Sequence, residues 1–526
     1  MQELAFQITP LSCDYNLRLL DFVEPAGLHW VGNCNELNAA YAADGYDRIN
    51  GFSALITTFG VGELSAINGI AGAFTEKSPV IHIVGSPSRS DQEKRAKLHH
   101  TLADGDYRHF ATIASHVTRA QTNLLDAQTV PHQIDEVLKQ AMIHSQPVYI
   151  EVPDDMADVC VSATGLKTPL CISDDLPSDN EPIQPVLDRI YSATQPLILV
   201  DGECRALDIV NGELPSLYGN YTGSLGSDIY KAYFESADLI ISLGPHHTDT
   251  NTANFSLIPL ESVTVSISKN IVQIGDKVHR DISNGFLSRL LGALDVKRIP
   301  KVEGPPRSPA ESDHVDHDPQ GPPIQKSFWR FVKRLFRKGD LILTETGTAS
   351  HGGRHFKLPS GSRLFGAVTW LSMSYMLPET LGAALAKSES DPENHRAILF
   401  IGDGSLQMSV QEISTIIKEN LNVIILVINN DEYTIERTIH GRKQGYNDIA
   451  VWRHRYALQF FGAEEKHATE NCFTARNYSE LEIILANDRI QEGKGLKMVE
   501  VYMGREDVQG APLGLLKKQI AEEDSQ

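Results

Sequence analysis

Two apolar runs, "RAILFIGDGS" from Arg396 and "NVIILVINND" from Asn422, do most to limit what this chain can become. A short continuous apolar run bounded by polar or turn residues reads as a strand buried on both faces, the pattern of a parallel sheet covered by helices. The stretch between them, "SVQEISTIIKENL", is amphipathic and helix-like. Strand, helix and strand in that order make a parallel unit, which puts both strand ends at one carboxyl edge, where open α/β sheets bind ligands.

What stands at that edge is chemically specific. The first strand ends in Gly-Asp-Gly-Ser and the second in Asn-Asn-Asp, so Asp403 and Asn430 are expected to converge. One carboxylate, one amide oxygen and a nearby backbone carbonyl form an all-oxygen set suited to Mg²⁺, with phosphate oxygens and water completing the shell. Glycines allow close approach of a ligand, and a helix N-terminus offers unpaired N–H groups to phosphate. Gly-Asp-Gly alone is often only a turn; its spacing from the asparagine pair gives it weight.

The same strand–helix alternation recurs along all 526 residues. The expected fold class is α/β, with three doubly wound parallel-sheet domains. The first covers 1–165 with "SALITTFG", "PVIHIVGSPS" and "PVYIEVP", and the second 183–298 with "QPLILVDGE", "ADLIISLGP" and "SVTVSISK". A Pro-rich, charged linker is expected over 299–326, and the third domain over 327–526. Acidic residues outnumber basic ones 68 to 47, a formal charge of -21, which argues against nucleic acid or anionic lipid as partners. Cys13, Cys34, Cys160, Cys171, Cys204 and Cys472 show no metal-ligand spacing. Reduced thiols, no membrane span and a cytoplasmic location are the expectation.

"GDGSLQMSVQEIS" followed by "INNDEYTIERTIHG" resembles the thiamin-diphosphate motif as written in pyruvate decarboxylases and related 2-keto acid decarboxylases. The resemblance covers nearly the whole chain. "NCNELNAAYAADGYDRINGFSALITTFGVGELSAINGIAGAF" is similar to the family's cofactor-activating, pyrimidine-binding domain, and "LHHTLADGDY" to its paired-histidine loop. The third domain is then the diphosphate-binding one, flanking a Rossmann-like middle domain. Both the N-terminus and the middle domain look shortened, the latter by a helix and a strand between "LILVDGECRA" and "LPSLYGNYTG".

The resemblance implies roles residue by residue. Glu36 matches the acid that activates the cofactor's pyrimidine ring; His99, His100, Asp14 and Glu436 match groups that relay protons. Thr346, Gly347, Thr348, Leu371, Met373, Gly404, Ser405 and Ile435 fall where the cofactor is held, with Met373 beneath its bend. Asp403, Asn430 and the Glu432 carbonyl match the metal ligands; Ile435 and Ile439 match walls of the substrate pocket. Thiamin diphosphate and Mg²⁺ are the implied cofactors, and a homodimer the least assembly, with a tetramer plausible.

The implied reaction is non-oxidative decarboxylation of a 2-keto acid, foremost pyruvate, to an aldehyde and CO2 through a thiamin diphosphate enamine. The alternatives are a phenylpyruvate- or indolepyruvate-type decarboxylase and a catalytically impaired paralogue acting as a structural or interaction partner. Glu432, Leu371 and Ser374 stand where glycines are usual. A side chain at 432 is expected to strain the backbone or repel the diphosphate, and one at 371 to crowd the carbonyl offered to the cofactor's amino group.

Overall fold

A computed structural model describes residues 6–8, 15–170, 181–201, 216–218, 228–306 and 317–524. The chain forms two compact units: one contains 1–170, 316–353 and 364–526, the other 171–315 and 354–363.

In the first unit, strands β1 (Phe6–Ile8), β2 (Trp30–Gly32), β3 (Ser53–Thr58), β4 (Val80–Ser86), β5 (Gln121–Asn123) and β6 (Val148–Pro153) form a parallel sheet in the order β2-β1-β3-β4-β6-β5. Every residue of β3 and β6 is buried, as continuous apolar runs require when helices cover both faces. Helix α1 (Glu36–Asn50) starts where Asn35 leaves the extended conformation and accepts a hydrogen bond from the Asn38 N–H at 2.8 Å. Helix α2 (Val61–Thr75) begins at Gly60, whose N–H donates to Glu63 Oε1 at 2.8 Å.

The second unit carries β7 (Pro196–Val200), β8 (Leu239–Leu243), β9 (Thr264–Ser268), β10 (Ile271–Ile274) and β11 (Lys277–Arg280), in the order β11-β10-β9-β8-β7. β7, β8 and β9 are parallel, as expected, but β10 and β11 continue the sheet antiparallel. The loops joining them are too short for a crossover, so the chain can only turn back. β7 is the outermost described strand, and Ile198 on it is 60% exposed. The expected loss of a helix and a strand falls largely on 202–215 and 219–227, outside the described residues.

The remaining strands, β12 (Leu341–Thr344), β13 (Arg363–Phe365), β14 (Ala397–Gly402), β15 (Val423–Asn429), β16 (Cys472–Ala475) and β17 (Lys497–Tyr502), order as β13-β12-β14-β15-β17-β16. β14 and β15 are parallel, with Gly402 opposite Ile428. The helices that bear on the site are α3 (Met376–Ser390), α4 (Asp403–Ser409), α5 (Glu412–Lys418), α6 (Thr434–Ile439) and α7 (Ala511–Asp524). None of the described helices is long and apolar enough to cross a membrane.

α1 and α3 cross in backbone contact. A Cβ on Gly382 would lie 1.8 Å from the Ala42 carbonyl oxygen, and one on Gly45 2.1 Å from that of Glu379. Arg48 is buried at this crossing, its Nε 3.0 Å from Asp44 and 2.9 Å from Glu379. Tyr41, Tyr46, Leu377 and Leu381 share one core with Leu399 and Ile425, so the first and third sheets belong to a single packed body.

Glu63 is almost wholly buried and accepts from the Tyr149 hydroxyl at 2.9 Å; burial raises its carboxyl to about 7. A raised pKa means that its contribution to stability is complete below about pH 4.5 and is lost as pH climbs through 7. Glu63→Gln should therefore flatten the stability profile between pH 5 and 8, by up to about 3 kcal/mol in urea unfolding. An unchanged profile would mean that another group titrates there.

Candidate active site

The parallel register of β14 and β15 delivers Asp403, first residue of α4, beside Asn429 and Asn430. Asp403 Oδ2 accepts from the Asp431 N–H at 2.8 Å and Oδ1 from the Gly404 N–H at 3.0 Å. The Asn430 amide faces Asp403 Oδ1 at 3.2 Å and the Glu432 carbonyl oxygen at 2.9 Å, and its other atom meets the Thr434 hydroxyl at 2.6 Å. Turned nitrogen-inward, the amide bridges the two oxygens by hydrogen bonds. Turned oxygen-inward, it completes three convergent oxygens with no proton between them, an arrangement that a cation relieves. Burial raises Asp403 to about 6, against the lowering effect of its two backbone hydrogen bonds. The expected metal set is thus assembled within one chain, and its chemistry fits Mg²⁺.

Two loops border this triad. Thr346, Gly347 and Thr348 follow β12; Gly347 takes φ +114°, and the point where its Cβ would stand is 3.8 Å from Ile435 on α6. The Thr346 hydroxyl is buried beside the Glu345 carboxylate. Ile435 lines a small crevice with Thr348, His351, Gln325, Val508 and Pro512. Ile439, one turn further along α6, is 59% exposed and lies outside that lining; Glu436 is also exposed. Gly404 cannot carry a side chain, because its Cβ would meet the Tyr433 ring at 2.6 Å, and Ser405 beside it is buried.

The second loop, 368–375, leads into α3. Leu371 and Ser374 adopt φ +49° and +68°, the left-handed conformation that glycine takes without strain and other residues at a cost of about 1–2 kcal/mol. The surroundings impose it. One carboxylate oxygen of Glu76 accepts the N–H groups of Val368, Thr369 and Trp370 at 3.1, 2.9 and 3.2 Å. Trp370 Nε1 donates to Asn68 at 2.9 Å, and the Ser372 hydroxyl meets that of Tyr41 at 2.6 Å. Ser374 bonds Ser409 through both hydroxyls, and Ser409 also donates to the Ser374 carbonyl. Met373 is half-buried in the same loop.

On the first sheet, Glu36 opens α1. It is 5% exposed, with Oε1 3.3 Å from where a Cβ on Gly62 would stand, and burial raises its pKa above the ordinary glutamate range. The paired histidines occupy the loop after β4. Tyr15 stacks on His99 at 4.9 Å with its hydroxyl 3.4 Å from Nδ1, and the His99 and His100 rings lie 4.7 Å apart. Gly60 abuts the His100 carbonyl so closely that a Cβ there would come within 2.2 Å of its oxygen. Asp14 lies outside the described residues.

This geometry has close relatives. Residues 7–109 match the thiamine pyrophosphate enzyme N-terminal TPP binding domain, and 345–500 the C-terminal TPP binding domain. A pyruvate decarboxylase of Aspergillus parasiticus is 45% identical, aligned over 98% of this chain and 94% of its own. One from Candida glabrata is 37% identical over 96% and 93%. The chain belongs to the pyruvate decarboxylase family. It is a thiamin-diphosphate-dependent 2-keto acid decarboxylase. In fold it is similar to the benzoylformate decarboxylase of Polynucleobacter necessarius, with a TM-score of 0.73 at 18% identity, covering 97% of each chain.

Three carboxylates in this decarboxylase escaped the sequence reading. Glu345, immediately before Thr346, accepts from the Thr346 N–H at 2.9 Å and the Met376 N–H at 3.0 Å, tying together the two loops beside the triad; burial raises it to about 7. Glu412 on α5 accepts from Cys34 N–H at 2.9 Å and from the side-chain amides of Asn33 and Asn38 at 3.1 Å each, anchoring the turn that presents Glu36. Glu76 is the third. Each lies within or next to a stretch already singled out, but its role depends on a partner beyond its own strand–loop–helix unit.

Two expected penalties resolve differently from each other. At 432 the positive φ is absent: Asp431 takes the left-handed conformation, at +59°, which aspartate tolerates. At 371 the strain is present. Leu371→Gly should stabilise the protein by about 1 kcal/mol in thermal or urea unfolding, because relief of the left-handed conformation outweighs loss of a half-buried side chain. A destabilised variant would show that Leu371 packs more than it strains.

Proposed function

We propose that this enzyme decarboxylates pyruvate non-oxidatively to an aldehyde and CO2, using thiamin diphosphate and Mg²⁺. The observation carrying the metal-dependent part is the convergence of Asp403, Asn430 and the Glu432 carbonyl beside Thr346–Thr348. Those three groups would hold the cation, and the start of α4, at Gly404 and Ser405, would face the diphosphate. Thr346, Gly347, Thr348, Leu371 and Met373 would seat the rest of the cofactor. Bound thiamin diphosphate supplies the nucleophilic carbon and the electron sink.

The chain's own groups manage protons and water. Glu36, whose carboxyl burial raises above the ordinary glutamate range, would exchange a proton with the pyrimidine ring. His99 has Nδ1 beside the Tyr15 hydroxyl, which leaves Nε2 as the atom that exchanges a proton with the substrate; His100, Glu436 and Asp14 complete the relay. Ile435 and its crevice give the substrate an apolar wall, a setting in which loss of a carboxylate charge is eased.

Glu36 and the histidines lie on loops of the first sheet, whereas the metal triad lies on the third. In our reading a homodimer brings one copy's set to the other's. Tyr446, Val451 and Phe460, the last 82% exposed, offer apolar surface for such a contact. A cytoplasmic setting accords with the scattered cysteines.

The test is aldehyde release from pyruvate by the purified protein with thiamin diphosphate and Mg²⁺. Glu36→Gln should lower turnover by at least about a hundredfold, as loss of an acid–base group does, with unchanged circular dichroism. Full activity in that variant would remove Glu36 from the chemistry. Asp403→Ala should abolish Mg²⁺-dependent cofactor binding in calorimetry; undiminished binding would remove the metal assignment.

A further inference from the structure

Glu432 has a backbone role and a side-chain role that face different neighbours. Its carbonyl oxygen belongs to the metal triad, 2.9 Å from the Asn430 amide. Its carboxylate is fully buried, with Oε2 2.7 Å from Arg437 Nε and 3.6 Å from Arg505 Nε. Arg437 lies on α6, the helix that carries Ile435 and Glu436, and is itself buried. Its Nη2 donates to Asp448 at 2.8 Å, and its Nη1 to the Arg442 carbonyl. Arg505 donates to the Asp431 carbonyl at 3.2 Å, gripping the residue before Glu432. A bridge between Glu432 and Asp448 and a hydrogen bond from Tyr433 N–H to the Asn447 carbonyl, 2.9 Å, hold the same turn from its other side.

From these contacts we infer that Glu432, Arg437 and Arg505 form an ionic lock that positions the metal turn relative to α6. The inference deepens the proposed function and rests on its metal assignment. At this turn the chain places a carboxylate whose buried counter-charge is on α6, the helix that carries Ile435. Glu432 is thus a positioning residue: the pair sets the direction of the 432 carbonyl and, through the first turn of α6, the stance of Ile435 and Glu436. Two guanidinium groups, those of Arg437 and Arg505, offset the charge of the carboxylate beside the triad. Removing it would leave Arg437 as a buried cation without its nearest partner, and the turn would shift toward whatever acceptor remains.

The test measures Mg²⁺ binding by calorimetry with thiamin diphosphate present, on the full-length protein. Glu432→Gln keeps the side-chain shape and should weaken Mg²⁺ binding roughly 10- to 100-fold, the usual effect of losing a group that orients a metal ligand. Glu432→Gly, which keeps the backbone free, serves as the second variant and should also bind more weakly than wild type. Rescue separates positioning from general damage: Glu432→Gln/Arg437→Gln should bind more tightly than Glu432→Gln, because the buried cation that has lost one of its two carboxylate partners is gone. Wild-type affinity in both Glu432 variants, or a double variant weaker than Glu432→Gln, would overturn the inference. Asp403→Ala, run alongside, distinguishes the two failures: if it loses binding while the Glu432 variants keep it, the lock is wrong and the metal site stands; if it too binds as wild type, the metal reading itself has failed.

Discussion

The first unit hangs on the crossing of α1 and α3, where backbone touches backbone. Gly45 and Gly382 let the helices approach so closely that any larger residue would collide with a main-chain carbonyl, and the Ala-rich faces around them keep that approach open. At such a distance there is little room for polar groups, yet Arg48 is there with Asp44 and Glu379. A buried pair of this kind adds little net stability, but losing one partner is costly, so it acts against any slip of one helix along the other. Everything that joins the first and third sheets follows from this contact: the Tyr41 and Asn68 bonds to the 370–372 loop, the grip of Glu76 on it, and the hold of Glu412 on the start of α1.

The convergence of Asp403, Asn430 and the Glu432 carbonyl was legible in the sequence because it depends on local patterns. Two apolar runs fix two parallel strands, register follows from their lengths, and the residues immediately after them must share an edge. Thr346–Thr348 and Ile435 came together for the same reason, each lying directly after a strand or within the next helix. Glu36 could be marked by resemblance, and its burial accords with a proton-holding role.

What stayed hidden depends on contacts across hundreds of residues. Nothing within "QEIS" announces that Glu412 will reach Asn33 and Asn38, and nothing near Glu76 points to residue 370. Backbone strain was hidden in another way. The resemblance implied glycines at 371 and 374, but only the structure shows that Leu371 and Ser374 keep a glycine-like course. At 432 the reverse holds: the strain passes to Asp431, and the new side chain finds cations. The antiparallel end of the middle sheet was missed because β10 and β11 are only four residues each, β10 (IVQI) too short to stand out as a run and β11 (KVHR) largely polar.

The single Glu76 oxygen that receives three successive N–H groups has a consequence for how this protein can vary. The shape of the 368–370 segment is specified by a residue on the N-terminal side of the molecule, so the C-terminal domain does not contain all the instructions for its own ligand-facing loop. The two domains are therefore not interchangeable parts. A chimera that took one half from a relative would inherit a loop without its template, and the halves have to be exchanged, and to diverge, as a matched pair.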